Sequence, residues 1–214
     1  MLVTRRAFGC AAVAAAVPSL AARPRIPVAV QLYSVRKVAE ADLAGTLARI
    51  AKMGYKGVEF AGYYGHDAKT IRKLLDDTGL KAAGTHTGIQ TLLEANLPKT
   101  IEFNKIIGNR FLIVPGLPPV YRETIKAWHD TAELFTELAV KLRAEQMRAG
   151  LHNHTVEFER LEGKIPLYEF LNNTPVDVIA QLDIGHARRA GMDPLTVLRA
   201  YPKRFVTVHV KDYH

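Results

Sequence analysis

Two histidines and a carboxylate stand close together at His152, His154 and Glu157. Imidazole and carboxylate groups at this density suit metal coordination or proton transfer. The histidines are two residues apart, so in a β-strand they would point to the same face. Glu157 falls in the loop beyond and could turn back over the same site. The alternative interpretation is a polar loop without a chemical role.

A second candidate segment, residues 182–186, reads Leu-Asp-Ile-Gly-His and follows another short apolar run. Asp183 would present a hard carboxylate oxygen at the end of a strand. Gly185 would let the backbone turn sharply, so that His186 follows Asp183 into the site. The alternative role for Asp183 is to cap the following helix.

A further histidine, His209, lies in an otherwise apolar segment near the end of the sequence. Alone, such a histidine is more often a hydrogen-bonded core residue than a ligand. Together with Asp183 it favours a metal site, because carboxylate and imidazole ligands from adjacent strand ends suit Mn²⁺, Mg²⁺, Co²⁺ or Zn²⁺. The single cysteine, Cys10, lies in an N-terminal segment that is expected to be removed, and without it a thiolate site is excluded.

Seven short apolar runs could position these side chains, and they alternate with longer amphipathic runs. This alternation predicts βαβ units and a parallel sheet buried on both faces. Gly54, Gly79 and Gly108 follow three of the predicted helices, where a left-handed cap is needed. The clearest helical patterns are Leu43–Met53, Lys69–Asp77 and Glu123–Met147. The predicted strands are Val28–Leu32, Gly57–Phe60, Leu80–Gly84, Phe111–Val114, Met147–Leu151, Val178–Leu182 and Phe205–His209.

A polar residue, or in one case a proline, lies at or near the end of each predicted strand. These residues recur at intervals of 26 to 29 residues, except for one gap of 39 residues across a long helix. This repeat favours an α/β fold of the (β/α)8 TIM-barrel type, whose chemistry lies at the carboxyl ends of the strands. No Gly-x-Gly-x-x-Gly follows the first strand, which argues against dinucleotide binding. The residues are Tyr33, Glu59, His86, Pro115, His154, Asp183 and His209.

The barrel domain is expected to cover residues 28–214 and to be incomplete. An eight-stranded barrel usually takes about 250 residues, whereas this sequence has 214 residues and seven strand patterns. We therefore expect the eighth strand to be missing from this chain.

The N-terminal residues 1–21 resemble a twin-arginine export signal. Arg5 and Arg6 precede a short apolar run, and small residues would allow cleavage after Ala21. This predicts a linker at residues 22–27, a periplasmic or exported protein, and no membrane attachment after cleavage. A buried N-terminal helix and a lipid anchor on Cys10 are the competing interpretations of this segment.

The composition, 48% hydrophobic and 23% charged, excludes a disordered or fibrous chain. The net charge of +8 is spread over many short segments. A basic surface of this kind could attract anionic sugars or nucleic acid, but a solvated face is the preferred interpretation. No nucleic-acid partner is expected.

Several segments together resemble the xylose isomerase-like TIM-barrel superfamily, sugar phosphate isomerase/epimerase type. That superfamily also includes ketose 3-epimerases, inosose dehydratases and, more distantly, endonuclease IV. The resemblance covers residues 26–214. It rests on residues 31–36 (QLYSVR), 53–60 (MGYKGVEF), 152–159 (HNHTVEFE), 182–186 (LDIGH), 201–205 (YPKRF) and 209–212 (HVKD).

The resemblance implies one divalent metal ion held by Glu157, Asp183 and His209, with His152 as the alternative to Glu157. A final acidic ligand would come from beyond His214. The implied substrate contacts are His86, His154, His186 and Lys211. Tyr33 and Glu59 are weaker candidates at the mouth of the barrel, with core packing as an equal alternative.

The implied activity is a sugar isomerase or epimerase that abstracts a proton next to a carbonyl and passes through an ene-diolate. Glu157 would be one base. A keto-sugar dehydratase or lyase would use the same first step. The same fold could also serve an endonuclease IV-like phosphodiesterase, or a non-catalytic sugar-binding barrel or inactive fragment. The expected partner is a small sugar or keto-sugar, and a homo-oligomer is compatible with this interpretation.

Overall fold

The apolar runs of the sequence form seven parallel strands, each paired with its neighbours in chain order. The computed structural model describes residues 26–212. The predicted signal at residues 1–21 lies outside the described residues, so export stays a prediction. The strands are β1 (Ala29–Gln31), β2 (Gly57–Ala61), β3 (Lys81–His86), β4 (Phe111–Val114), β5 (Arg148–His152), β6 (Ile179–Asp183) and β7 (Phe205–His209).

Eight α-helices lie between these strands within residues 26–212. None of the helices in this part of the chain is both long and apolar enough to cross a membrane. The helices are α1 (Arg36–Ala41), α2 (Leu43–Lys52), α3 (Ala68–Thr78), α4 (Leu97–Ile107), α5 (Ile125–Arg143), α6 (Pro166–Asn172), α7 (Ile184–Arg189) and α8 (Pro194–Ala200).

Local sequence signals begin and end these helices. The Asp67 carboxylate accepts a hydrogen bond from the backbone N–H of Thr70 at the start of α3, which satisfies one of the free donors of the first turn. The predicted left-handed caps are confirmed at Gly79 and Gly108, whose φ angles are +68° and +75° at the ends of α3 and α4. Gly54, just beyond α2, has φ +94°.

Successive residues of each strand point alternately to the outer face of the sheet, where the apolar core lies, and to its inner face. Val58 and Phe60 of β2 pack with Leu47 of α2 on the outer face. Leu151 of β5 packs with Phe135 of α5 in a second cluster. The residues between them point inward and include Glu59 on β2. The outer face thus supplies the apolar core, which leaves the inner face free for polar groups.

The sheet is strongly curled, as contacts across its interior show. The Glu59 carboxylate on β2 lies 2.6 Å from a ring nitrogen of His209 on β7. In a flat sheet these two strands would be about 24 Å apart, five spacings of roughly 4.8 Å each. The α/β TIM-barrel type is therefore confirmed, with seven parallel strands in the described residues.

A buried arginine joins the last helices to the sheet. The guanidinium of Arg204 donates hydrogen bonds to the backbone oxygens of Leu171, Thr174 and Val178, and to the Thr174 hydroxyl. Leu171 lies in the last turn of α6, and Thr174 and Val178 lie between α6 and β6. Arg204 itself directly precedes β7. It therefore fixes the segments that lead into β6 and β7, the strands that end in the predicted metal ligands Asp183 and His209.

We expect Arg204→Met to lower the free energy of unfolding by roughly 3 kcal/mol, because it leaves several buried carbonyl groups without a donor. Urea unfolding followed by circular dichroism measures this loss. Arg199→Met, at an exposed position on α8, is the matched control and should change stability by less than about 0.5 kcal/mol. Equal stability of the two variants would contradict this role for Arg204.

Candidate functional site

A bulge between β2 and β3 places the Glu59 carboxylate at the centre of the curled sheet. Val58 pairs with Ala82, but Glu59 pairs with Gly84, so one residue of β3 is skipped. A Cβ atom at position 84 would lie 2.8 Å from the Glu59 Oε1. Only glycine at this position leaves room for the carboxylate beside it.

Three other strands supply hydrogen bonds to this carboxylate. Gln31 of β1 donates from Nε2 to Oε2 at 2.8 Å, and Gln181 of β6 donates from Nε2 to Oε1 at 2.6 Å. His209 of β7 lies 2.6 Å from Oε2 through its Nε2. Burial raises the pKa of Glu59, but the hydrogen bond from His209 and the nearby imidazoles outweigh it and lower the pKa. Glu59 is therefore a buried, ionised carboxylate.

Three histidines surround Glu59 and could hold a metal ion. His86 on β3, His152 on β5 and His209 on β7 each have a potential ligand atom, and these atoms all lie within 4.8 Å of one another. Burial lowers the pKa of His86 and lowers the pKa of His152 to about 2. These two rings are therefore neutral at pH 7, which is the state that binds metals.

The Gln181 side chain connects this histidine cluster to Glu59. Its Oε1 lies 2.7 Å from Nε2 of His86 and 3.0 Å from Nδ1 of His152. Its Nε2 donates both to Glu59 and to the hydroxyl of Thr207 at 2.9 Å. Gln181 is almost fully buried, and all of its polar atoms have partners.

Asp183 caps a helix, which is one of its two predicted roles, and its role as a metal ligand stays a prediction. Its Oδ1 accepts a hydrogen bond from the backbone N–H of His186 at 2.8 Å and so caps α7. Its Oδ2 lies 3.8 Å from Nδ1 of His209 and 4.0 Å from Nζ of Lys211. Asn153 fixes the backbone, because its side-chain oxygen accepts from the Asp183 N–H at 2.9 Å. The cap therefore leaves one carboxylate oxygen facing His209.

The predicted substrate contacts His154, His186 and Lys211 form a basic rim next to Asp183. The rings of His154 and His186 are 4.7 Å apart, and Lys211 Nζ lies 3.1 Å from Nε2 of His186. Burial lowers the pKa of His154, and the neighbouring His186 lowers it further. Neutral imidazoles beside an exposed ammonium can exchange hydrogen bonds with hydroxyl groups.

Glu157 lies in the loop after β5, as expected, and its carboxylate is buried. Its Oε2 accepts a hydrogen bond from the backbone N–H of His154 at 2.6 Å. Burial raises the pKa of Glu157. It lies outside the group of three histidines, and its roles as a ligand and a base stay predictions.

Two residues at the centre of the site have little weight in the sequence pattern. The sequence makes Glu59 only a weak candidate at the mouth of the barrel and gives Gln181 no role. The available signal was strand periodicity, because Gln181 precedes Asp183 by two residues and shares its face. Tyr33 lies in the turn after β1, where its exposed ring stacks against the guanidinium of Arg36 at 4.2 Å.

Comparisons with known proteins give the same fold and a group of relatives. The chain is 28% identical to an inosose dehydratase of Lacticaseibacillus casei over 74% of its own length and 59% of the relative. It is 24% identical to an inosose dehydratase of Clostridium tetani over 81% of its length and 64% of that relative. It therefore spans about three fifths of the length of these curated relatives.

A solved sugar phosphate isomerase/epimerase from Parabacteroides distasonis superposes with a TM-score of 0.73 and 28% identity, over 87% of this chain and 75% of that structure. The family model for the xylose isomerase-like TIM barrel matches residues 47–214. These residues include every histidine and carboxylate of the site described above. The chain belongs to the xylose isomerase-like TIM-barrel family.

Proposed function

We propose that this chain carries the active site of an enzyme that removes a proton next to the carbonyl of a sugar-like substrate with the help of one divalent metal ion. The observation that carries the proposal is the pair formed by Asp183 and His209 at the ends of adjacent strands. The buried carboxylate of Glu59 lies on the other side of the His209 ring. In TIM-barrel enzymes this end of the sheet holds the chemistry. Relatives that are named for sugar-modifying reactions support the substrate class.

The donor groups fit a divalent metal. Oδ2 of Asp183 and Nδ1 of His209 are 3.8 Å apart, and one ion at metal–ligand distances of about 2.0–2.2 Å could bind both after a small adjustment. The other ring nitrogen of His209 faces the Glu59 carboxylate at 2.6 Å. Metal-binding histidines usually donate their second N–H to such a carboxylate. Mn²⁺, Mg²⁺, Co²⁺ and Zn²⁺ all suit these donors.

A bound metal ion would polarise the substrate carbonyl and stabilise the negative charge that develops on its oxygen. Glu157 is the proposed proton acceptor, because burial raises its pKa and makes it a stronger base. His154, His186 and Lys211 would bind the substrate hydroxyls. The buried Gln181 and Glu59 would hold the histidines in place during the reaction.

Isomerisation or epimerisation is the first proposed outcome, because it needs only return of the proton to a neighbouring or opposite position. Dehydration of a keto sugar or keto polyol is the second, and the inosose dehydratases among the relatives favour it. Both outcomes share the same first proton transfer. If the chain is exported, its substrates would be unphosphorylated.

The shared step is testable by solvent exchange. The full-length protein, loaded with Mn²⁺ or Co²⁺, should incorporate deuterium from D₂O next to the carbonyl of at least one member of a panel of ketohexoses and keto-inositols, as measured by NMR. An epimeric or isomeric product identifies the first outcome, and a dehydrated product identifies the second. Absence of metal-dependent exchange across the panel would reject the proposal.

Asp183→Asn should weaken divalent-metal binding by at least about tenfold, because it removes a charged ligand oxygen. The asparagine can still cap α7, so the fold should survive. Isothermal titration with Mn²⁺ measures the affinity. Asp193→Asn is the matched control, since Asp193 caps α8 in the same way at an exposed position. Unchanged affinity in Asp183→Asn would remove Asp183 from the metal site.

Glu157→Gln should reduce the exchange rate roughly 100- to 10,000-fold by removing a general base. The glutamine oxygen can still accept from the His154 N–H, so the loop should keep its conformation. Glu159→Gln, two residues further on and exposed, is the control. A variant Glu157→Gln with full activity would assign Glu157 to loop structure alone.

A further inference from the structure

We propose that α4 and α5 form a homodimer interface, in which α5 of a second copy of this chain packs into the groove between the two helices. The groove has a volume of about 650 Å³, and its walls belong to α4 and to the C-terminal end of α5. It lies outside the sheet and shares no residue with the candidate metal site. The interface therefore does not depend on the proposed function.

The groove is a gap in the layer of helices that surrounds the sheet. α3 packs against α4, and α5 packs against α6, but α4 and α5 make no comparable contact with each other. An ion pair between Lys105 Nζ and Glu145 Oε2, at 2.7 Å, joins them near their C-terminal ends. Because the two helices do not close against each other, apolar side chains between them face solvent.

The floor of the groove is apolar, and an apolar ridge stands beside it. Leu97 is buried, and Ile101 and Ile106 are half-buried and line the groove. Val140, next to the lining residue Lys141 on α5, is 63% exposed. Helices pack by placing the ridges of one into the grooves of another. In a twofold dimer, Val140 of each copy would enter the groove of the other, and both apolar surfaces would be covered.

The charges on the two walls of the groove are complementary to those of a second copy. Glu102 on α4 and Lys141 on α5 line opposite walls, and both are exposed. Neither forms an ion pair within residues 26–212. In a twofold interface, two residues that meet across the axis meet twice, once in each direction. Glu102 of each copy would therefore pair with Lys141 of the other.

The local charge also favours contact between copies at this surface. The chain carries a net charge of +8, and a strongly positive surface keeps copies of a protein apart. The groove has no such positive excess, because three glutamates and two lysines line it. These residues are Glu94, Glu102, Glu145, Lys105 and Lys141. Two copies can therefore approach here without the repulsion that the rest of the surface would cause.

Charge reversal tests the pairing. Sedimentation velocity of the full-length protein should show a dimer. Glu102→Lys and Lys141→Glu should each raise the Kd of this dimer at least about tenfold, because each brings two pairs of like charges together across the interface. Both positions are exposed, and lysine and glutamate have similar helix propensities. Each variant should therefore fold, which circular dichroism verifies.

A mixture of the two variants distinguishes direct pairing from a general effect of charge. In the mixed dimer both pairs again join opposite charges, so the Kd should return toward the wild-type value. The double variant Glu102→Lys/Lys141→Glu should recover in the same way. Lys99→Glu is the matched control, since Lys99 is exposed on α4 and does not line the groove, and it should leave the Kd unchanged.

A monomeric wild type would overturn the proposal and leave the groove to another occupant. A dimer that neither charge reversal weakens would place the interface elsewhere and would also overturn it. Failure of the mixture to recover, or equal weakening by Lys99→Glu, would contradict the pairing of Glu102 with Lys141 on which the interface depends.

Discussion

The buried carboxylate of Glu59 is the interaction on which both the sheet and the site depend. It accepts hydrogen bonds from side chains on β1, β6 and β7. An ionised carboxylate buried without such donors would cost several kcal/mol. Strands that are far apart in chain order must therefore meet around it. The bulge between β2 and β3 and the absence of a side chain at Gly84 make the space that this meeting needs.

The polar interior is stable because it is almost completely hydrogen-bonded. Among the described residues, the only buried side-chain polar atom without a partner is Oγ1 of Thr46, which belongs to α2 and not to the site. A network with every member satisfied is rigid and specific, whereas a partly satisfied one is costly. The polar groups around Glu59 can therefore hold the histidine side chains of the candidate site in place, while the apolar outer face supplies most of the stability.

Much of the architecture could be predicted from the sequence. The sequence pattern predicts the ends of the strands to within two residues, because parallel strands covered on both faces are short apolar runs between capped helices. Asp183 and His209 were expected to converge, and their side chains do lie together. These predictions depend on local pattern and on the rule that strand ends share one face of the barrel.

The centre of the site could not be predicted in the same way. Glu59 contacts Gln181 and His209 across 122 and 150 residues of sequence, and these contacts exist only because the sheet curls. Gln181 belongs to no recognisable motif. Only the structure shows that its amide contacts Glu59, His86 and His152. Glu157 is the opposite case, because it stands in a conspicuous sequence motif. The motif does not reveal that its carboxylate accepts a hydrogen bond from the backbone N–H of His154 in its own loop.

The central claim is that a divalent ion binds between Asp183 and the Nδ1 side of His209, with Glu59 behind the ring. Anomalous diffraction at the metal absorption edge, from crystals of the full-length protein grown with Mn²⁺ or Co²⁺, tests it most directly. We expect a peak within coordination distance of Oδ2 of Asp183 and Nδ1 of His209. A peak surrounded instead by His86, His152 and Nε2 of His209 would contradict it.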